Sequence, residues 1–216
     1  MAWYMSLLVN PNEFETLPTS WSVLWEDRPG AWGINSGGTS PILDIAAKLY
    51  FDSASTLETE EGCRAVIEKL VELKKNTRLW WTDEGSKQSA FQNEEIVGGT
   101  YYHDVAMIMK SEGAPLESIF PEEGAVLGYN LWSVPSSVTV SEPIIEFLNW
   151  SATPECHELI TRHVMAAPLI ERSKLNITDA EFAMVSSDAT PIVNAAEGKV
   201  KNADFLAQEF LRLLSA

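Results

Sequence analysis

Basic residues are scarce in this 216-residue sequence: 15 Lys and Arg stand against 31 Asp and Glu, a formal net charge of −16. That deficit excludes a nucleic-acid partner, because a surface that tracks phosphates needs clustered cations. It argues equally against docking on an anionic membrane surface. No apolar run reaches the roughly 18 residues of a membrane-spanning helix. Met1 to Asn10 (MAWYMSLLVN) lacks a basic start, a long apolar stretch and a small-residue cleavage site, so it does not read as a signal peptide. A domain that opens directly in a strand is expected to have its front part elsewhere. Cysteine is equally sparse. Cys63 and Cys156 lie far apart and form no CxxC pair, and two buried free thiols are expected rather than one disulfide.

Catalytic signatures are missing as well. There is no GxSxG elbow, no GKS/T phosphate loop and no GxGxxG fingerprint. The three histidines are His103, His157 and His163. The last two fall on one helix but on different faces at about 3.6 residues per turn, so they cannot share a zinc ion. No metal site and no cofactor are expected, and no catalytic residue is assigned. The pair His103-Asp104 is the one acid–base candidate, and no nucleophile signature accompanies it.

What is present is enough to build a core: 45% of residues are hydrophobic, with eight Trp, eight Phe and five Tyr. Such a chain is not disordered, and its length suits one large domain or two small lobes. Short strands alternate with helices, which predicts an α/β class. Strands are expected at Tyr4 to Val9, Ala31 to Asn35, Arg78 to Thr82, Ile96 to Tyr102, Ser118 to Phe120 and, longest, Val126 to Val134. Helices are expected at Ile42 to Tyr50 with Pro41 in its first turn, Glu60 to Lys75, from Ser86 to Asn93, and Val105 to Ser111. Others begin at Ser141 and at Thr153-Pro154, and a last amphipathic helix runs from Ala203 to Leu214. Beyond Pro168 the intervening chain reads as irregular.

Three segments carry binding chemistry. Ser36-Gly37-Gly38-Thr39-Ser40 leads into a helix N-terminus, where free backbone N–H groups attract carboxylate, phosphate or a neutral acceptor; an ordinary capped strand-to-helix turn explains it as well. Gly98 to Asp104 places two glycines before Tyr101 and Tyr102, which fits either rings facing a cleft or a core strand. Gly128-Tyr129-Asn130-Leu131-Trp132 holds a polar Asn130 in an apolar strand, which needs a backbone or ligand partner. Trp80 and Trp81 alternate on one strand, so one of them faces the core and the other solvent or a groove. Rings lining a cleft suit a cation or a sugar face.

The order of further segments resembles a known family. Thr19-Ser20-Trp21-Ser22-Val23-Leu24-Trp25 before a Gly30-bounded strand is similar to the "TSWxxLW" opening of the second lobe in solute-binding proteins of ABC importers, the spermidine/putrescine-binding branch above all. Phe91 to Gly99, Glu112 to Leu116, Phe120-Pro121-Glu122-Glu123-Gly124, Ser133-Val134-Pro135 and Ile144 to Trp150 with Pro154-Glu155 follow in the family's order, over most of residues 17–168. The resemblance implies a type II periplasmic-binding-protein-like α/β fold of two lobes around a cleft. On that scheme residues 1–125 form the first part of the second lobe. Residues 126–167 return to a first lobe that is largely absent, and 168–216 complete the second lobe.

The resemblance also implies a function. A small polar solute, polyamine-like or another amine or carboxylate compound, is captured in the interlobe cleft and handed to a membrane permease in the periplasm, without catalysis. The candidate ligand-binding residues, from the resemblance and from the strand reading of Trp81 together, are Ser36, Gly37, Thr39, Ser40, Trp81, Tyr102, Asp104 and Asn130. Tyr102 falls where polyamine binders stack an aromatic ring. Asn130 falls where they carry an Asp, and Gly128 where some carry another ring. The loop Ser36 to Ser40 falls where acidic residues grip the second amine. With those carboxylates absent, Asp104 and Glu123 are the acidic groups left to compensate, and a ligand with an anionic or hydroxyl end suits the loop. An enzyme on a related scaffold using His103 and Asp104, or a protein-docking module, are the alternatives.

Overall fold

The computed structural model describes residues 1–51 and 53–215. Strand β1 (Ala2–Val9) begins earlier than its apolar run suggests, because Ala2 N donates to Ala167 O at 2.8 Å and anchors the start. Met5, Leu7, Leu8 and Val9 are fully buried, as befits an interior strand covered on both faces. β2 (Trp32–Asn35) feeds helix α1 (Pro41–Phe51), and α2 (Glu60–Val71) packs beside it. The helical turn predicted to continue to Lys75 breaks off after Val71, and Lys74–Asn76 form a separate 3-10 turn.

β3 (Thr77–Trp81) leads to α3 (Glu84–Gln92), whose N-terminus is capped by Asp83: Oδ2 accepts from Ser86 N at 2.8 Å. β4 (Gly98–Tyr102) passes directly into α4 (His103–Ser111). Then come β5 (Glu117–Ile119), β6 (Val126–Tyr129), α5 (Glu142–Ser151) and α6 (Pro154–Val164), the last capped by Thr153. The stretch read as irregular contains α7 (Asp179–Ala183), the short β7 (Ile192–Val193) and α8 (Ala196–Lys201) before α9 (Ala203–Ser215).

The sheet runs in the order β3-β2-β4-β1-β6-β7, and β5 pairs with the far half of β1. β2 is parallel to β3 and β4, whereas β1 is antiparallel to β4, β5 and β6. The parallel strands therefore all point their carboxyl ends to one edge. β6 stops at Tyr129 rather than Val134 for a register reason. Tyr129 already pairs with Ala2, and Asn130 N reaches Met1 O at 3.1 Å. With no partner strand left, residues 130–140 are exposed and without regular structure.

Two segments of the resemblance, Thr19 to Trp25 and Phe120 to Gly124, meet across about 100 residues of chain. Trp21, fully buried, donates its indole N–H to Gly124 O at 2.8 Å, and Glu123 accepts from Ser20 Oγ at 2.5 Å and Trp21 N at 3.3 Å. Their role is to lock the fold. Cys63 and Cys156 are free and buried, as expected.

Candidate ligand-binding cleft

The carboxyl ends of β2, β3 and β4 border one cavity of about 460 Å³. Asn35 and Ser36 end β2, Thr82 follows β3, and Tyr102 closes β4. Thr39, Ser40 and Pro41 bring the N-terminus of α1 to the same place, and Trp3 of β1 and the β7–α8 connection complete the wall. In open α/β sheets ligands settle outside the carboxyl ends of the strands. The turn that leads there is built by local chemistry. Gly37 sits at φ +114°, where a side chain is strained, and its carbonyl accepts from Ser40 N at 3.0 Å.

Of the residues singled out from sequence, Ser36, Thr39, Ser40 and Tyr102 converge on this cavity. Four do not line it. Gly37 shapes the turn. Trp81 is 2% exposed and points into the core, where it meets Tyr101 and Tyr102 edge-on at 5.6 and 5.9 Å; it props the site from below. Asp104 lies on the first turn of α4, where burial pushes its carboxyl above the usual range. Asn130 lies beyond the end of the sheet and lines a separate apolar groove with Trp132 and Phe147. Glu123, the other carboxylate considered for a cationic ligand, is spent on Ser20 and Trp21.

The sequence missed Trp3, Asn35, Thr82, Asn194 and Lys199. Trp3 has a partial signal in Gly128: a Cβ there would sit 2.0 Å from the Trp3 ring. The Trp3 ring thus occupies the space that a side chain at 128 would take, and it meets Tyr102 edge-to-face at 5.4 Å. Lys199 is 1% exposed and neutralised by the fully buried Asp44, at 2.5 Å. Its ammonium also donates to Thr39 O at 3.1 Å, which ties α8 to the turn before α1.

Both ring nitrogens of His103 are engaged away from Asp104. His103 Nε2 lies 2.9 Å from Met184 O, so it donates there, and Nδ1 is 2.8 Å from Ser118 Oγ. Burial holds the imidazole below its ordinary pKa. These are the contacts of a satisfied core histidine. Among the described residues there is no group of three His, Cys, Asp or Glu arranged to hold a metal ion, and no helix long and apolar enough to cross a membrane.

Comparison with known proteins agrees with this architecture. The spermidine/putrescine-binding periplasmic protein of Salmonella typhimurium is 21% identical over 137 residues, 63% of this chain. The chain spans only 38% of that relative's length. Among solved structures, PBP MotA from A. tumefaciens B6 in complex with glucopine superposes with a TM-score of 0.82 at 17% identity, covering 98% of this chain and 69% of that one. The spermidine/putrescine ABC transporter substrate-binding protein of Streptococcus pneumoniae gives 0.76 at 15% identity, covering 99% and 67%. These likenesses establish the fold, α/β of the type II periplasmic-binding-protein kind. The profile of the bacterial extracellular solute-binding proteins matches residues 1–160. With three quarters of its length matched in this way, the chain belongs to the bacterial extracellular solute-binding protein family.

Proposed function

We propose that this chain supplies one wall of the solute-binding cleft of an ABC importer's capture protein. It works in the periplasm, takes a small polar compound and presents it to a membrane permease, with no chemical step. The observation that carries the reading is the convergence of three parallel strand ends, the α1 N-terminus and the Trp3–Tyr102 pair on one cavity. Ligand contacts made from both sides of such a cleft favour the closed arrangement and so shift the open–closed equilibrium. A thermal-shift screen against polyamines, amino acids, phosphonates and sugars tests it. A hit at a hundredfold excess over Kd stabilises by about 2.7 kcal/mol, and Tyr102→Ala should abolish that response. If no solute moves the melting curve, the reading fails.

The α5–α6 hairpin supports a further part of the same proposal. α5 buries none of its residues, and Trp132, Phe147 and Trp150 are 46–68% exposed around a groove of about 610 Å³. An apolar face of this kind marks a surface that another body covers. We assign it, with residues 126–167, to the segment that packs into the first lobe of a two-lobed protein. The purified 216-residue chain should then self-associate through this face. Light scattering is expected to show dimers or larger species, and Phe147→Ser with Trp150→Ser should return monomers. A wild-type chain that elutes as a clean monomer contradicts the assignment.

A further inference from the structure

We infer that the part of the ligand seated against this wall is uncharged and hydroxylated, rather than an ammonium or a carboxylate; this rests on the solute-binding reading above. No Asp or Glu lines the cavity. The single cation there, Lys199, is cancelled by Asp44, whose two oxygens are taken by the Lys199 ammonium and by Ala195 N at 2.8 Å. The wall therefore presents no net charge. An ammonium placed on it would surrender hydration with no counter-ion, and so would a carboxylate. The Trp3 and Tyr102 rings give a cation little in return, because cation–π attraction is weak at sites open to water and the two rings already engage each other edge-to-face.

The decisive side chain is Asn35, which is 8% exposed and lines the cavity. Ser40 Oγ lies 2.7 Å from the backbone carbonyl of Asn35 and 2.8 Å from the side-chain atom placed as Oδ1. One hydroxyl proton cannot satisfy two oxygens. The backbone carbonyl only accepts, so the proton belongs there, and both contacts are satisfied when the side-chain amide is turned over, a choice that heavy-atom positions leave open. The NH₂ group then donates to Ser40 Oγ and the amide carbonyl faces the cleft. Among the described residues that outer edge of the amide has no protein partner. Next to it the wall offers the Thr39 hydroxyl and the Thr39 backbone N–H, which are donors; Ser36 N and Ser40 N are already given to Trp81 O and Gly37 O. A neutral acceptor beside neutral donors is the pattern that a hydroxyl, itself both donor and acceptor, satisfies; a group that only donates or only accepts satisfies half of it.

Three four-carbon probes that differ in charge test this: erythritol, putrescine and succinate, each titrated to high concentration into the isotopically labelled chain. Amide resonances of residues 37–39 and the Asn35 side-chain NH₂ report. Erythritol should bind at least about tenfold more tightly than either ion, a difference of about 1.4 kcal/mol. Asn35→Asp, which sets a carboxylate in the wall at the cost of the amide's contact to Ser40, should reverse the order in favour of putrescine. Thr39→Asp, at an exposed position, does the same should the buried variant fail to fold. Tighter binding of putrescine or succinate by the wild-type chain overturns the inference and leaves solute binding intact. No response to any of the three overturns both.

Discussion

Replacing Lys199 by Met should cost about 3–5 kcal/mol of stability, the penalty for stranding one partner of a buried ion pair. Asp44 sits in the first turn of α1 between Ile42, Leu43, Ile45 and Ala46, all fully buried, and is itself 0% exposed. Its oxygens accept from Lys199 Nζ at 2.5 Å and from Ala195 N at 2.8 Å. Without the ammonium the carboxylate keeps one backbone donor in an apolar helix interface, and Thr39 O loses its own donor. Against a total stability of about 5–15 kcal/mol for a domain, that loss moves a urea midpoint far. The sign of its pH dependence follows from Asp44. Burial already pushes this carboxyl above its ordinary value, against the pull of Lys199. A carboxyl that holds its proton more tightly when folded gains stability as pH falls through the folded pKa toward the unfolded one. The Lys199→Met deficit should therefore shrink on acidification, since protonation removes the stranded charge. The double variant Asp44→Leu with Lys199→Met should recover most of the loss, as apolar replacements of buried pairs do. A single variant within about 1 kcal/mol of wild type at neutral pH would show that the pair bears no weight.

The pair also marks the limit of what the sequence discloses. Asp44 and Lys199 are 155 residues apart, and nothing local in PILDIAAKLY says that the acid points inward. Lys87 is similar: it lies on a polar helix start, yet it is fully buried and donates to Gly33 O at 3.0 Å and Gly98 O at 2.6 Å. Burial drives that amine well below its ordinary pKa. By contrast, the Ser36 to Ser40 turn was legible, because small residues between a strand and a Pro-initiated helix have a local cause. Alternation correctly set Trp80 and Trp81 on opposite faces, but only tertiary packing decided that Trp81 goes inward against Tyr101. The apolar run Val126 to Val134 extends past β6, which ends at Tyr129, because such a run does not reveal where its partner strand begins. The two-residue β7 has no periodicity to detect; it exists because Ile192 and Val193 lie beside Val126 and Leu127.

Gly99→Ala should yield little or no folded chain. Gly99 stands at φ +124°, and an added Cβ would lie 2.1 Å from Gly33 O, a backbone atom of the adjoining parallel strand. The conformation alone costs about 1–3 kcal/mol in a residue other than glycine. The clash adds more, because the β2–β4 pairing consists of Trp32 opposite Gly98 and Gly33 opposite Gly99 and has no length to absorb a shift. Moving Gly33 also draws its carbonyl away from Lys87, leaving a buried amine short of an acceptor. Together these place the loss above about 4 kcal/mol, the range reserved for disrupted cores. Gly113→Ala separates the contributions: it has a comparable φ of +96° but nothing within 4 Å of the added Cβ, so it carries strain without collision. Its urea midpoint should fall modestly while Gly99→Ala is recovered insoluble or without a cooperative transition. Equal midpoints for the two variants would mean that the sheet yields at Gly33, and that the close approach of β2 and β4 is not a constraint on the fold.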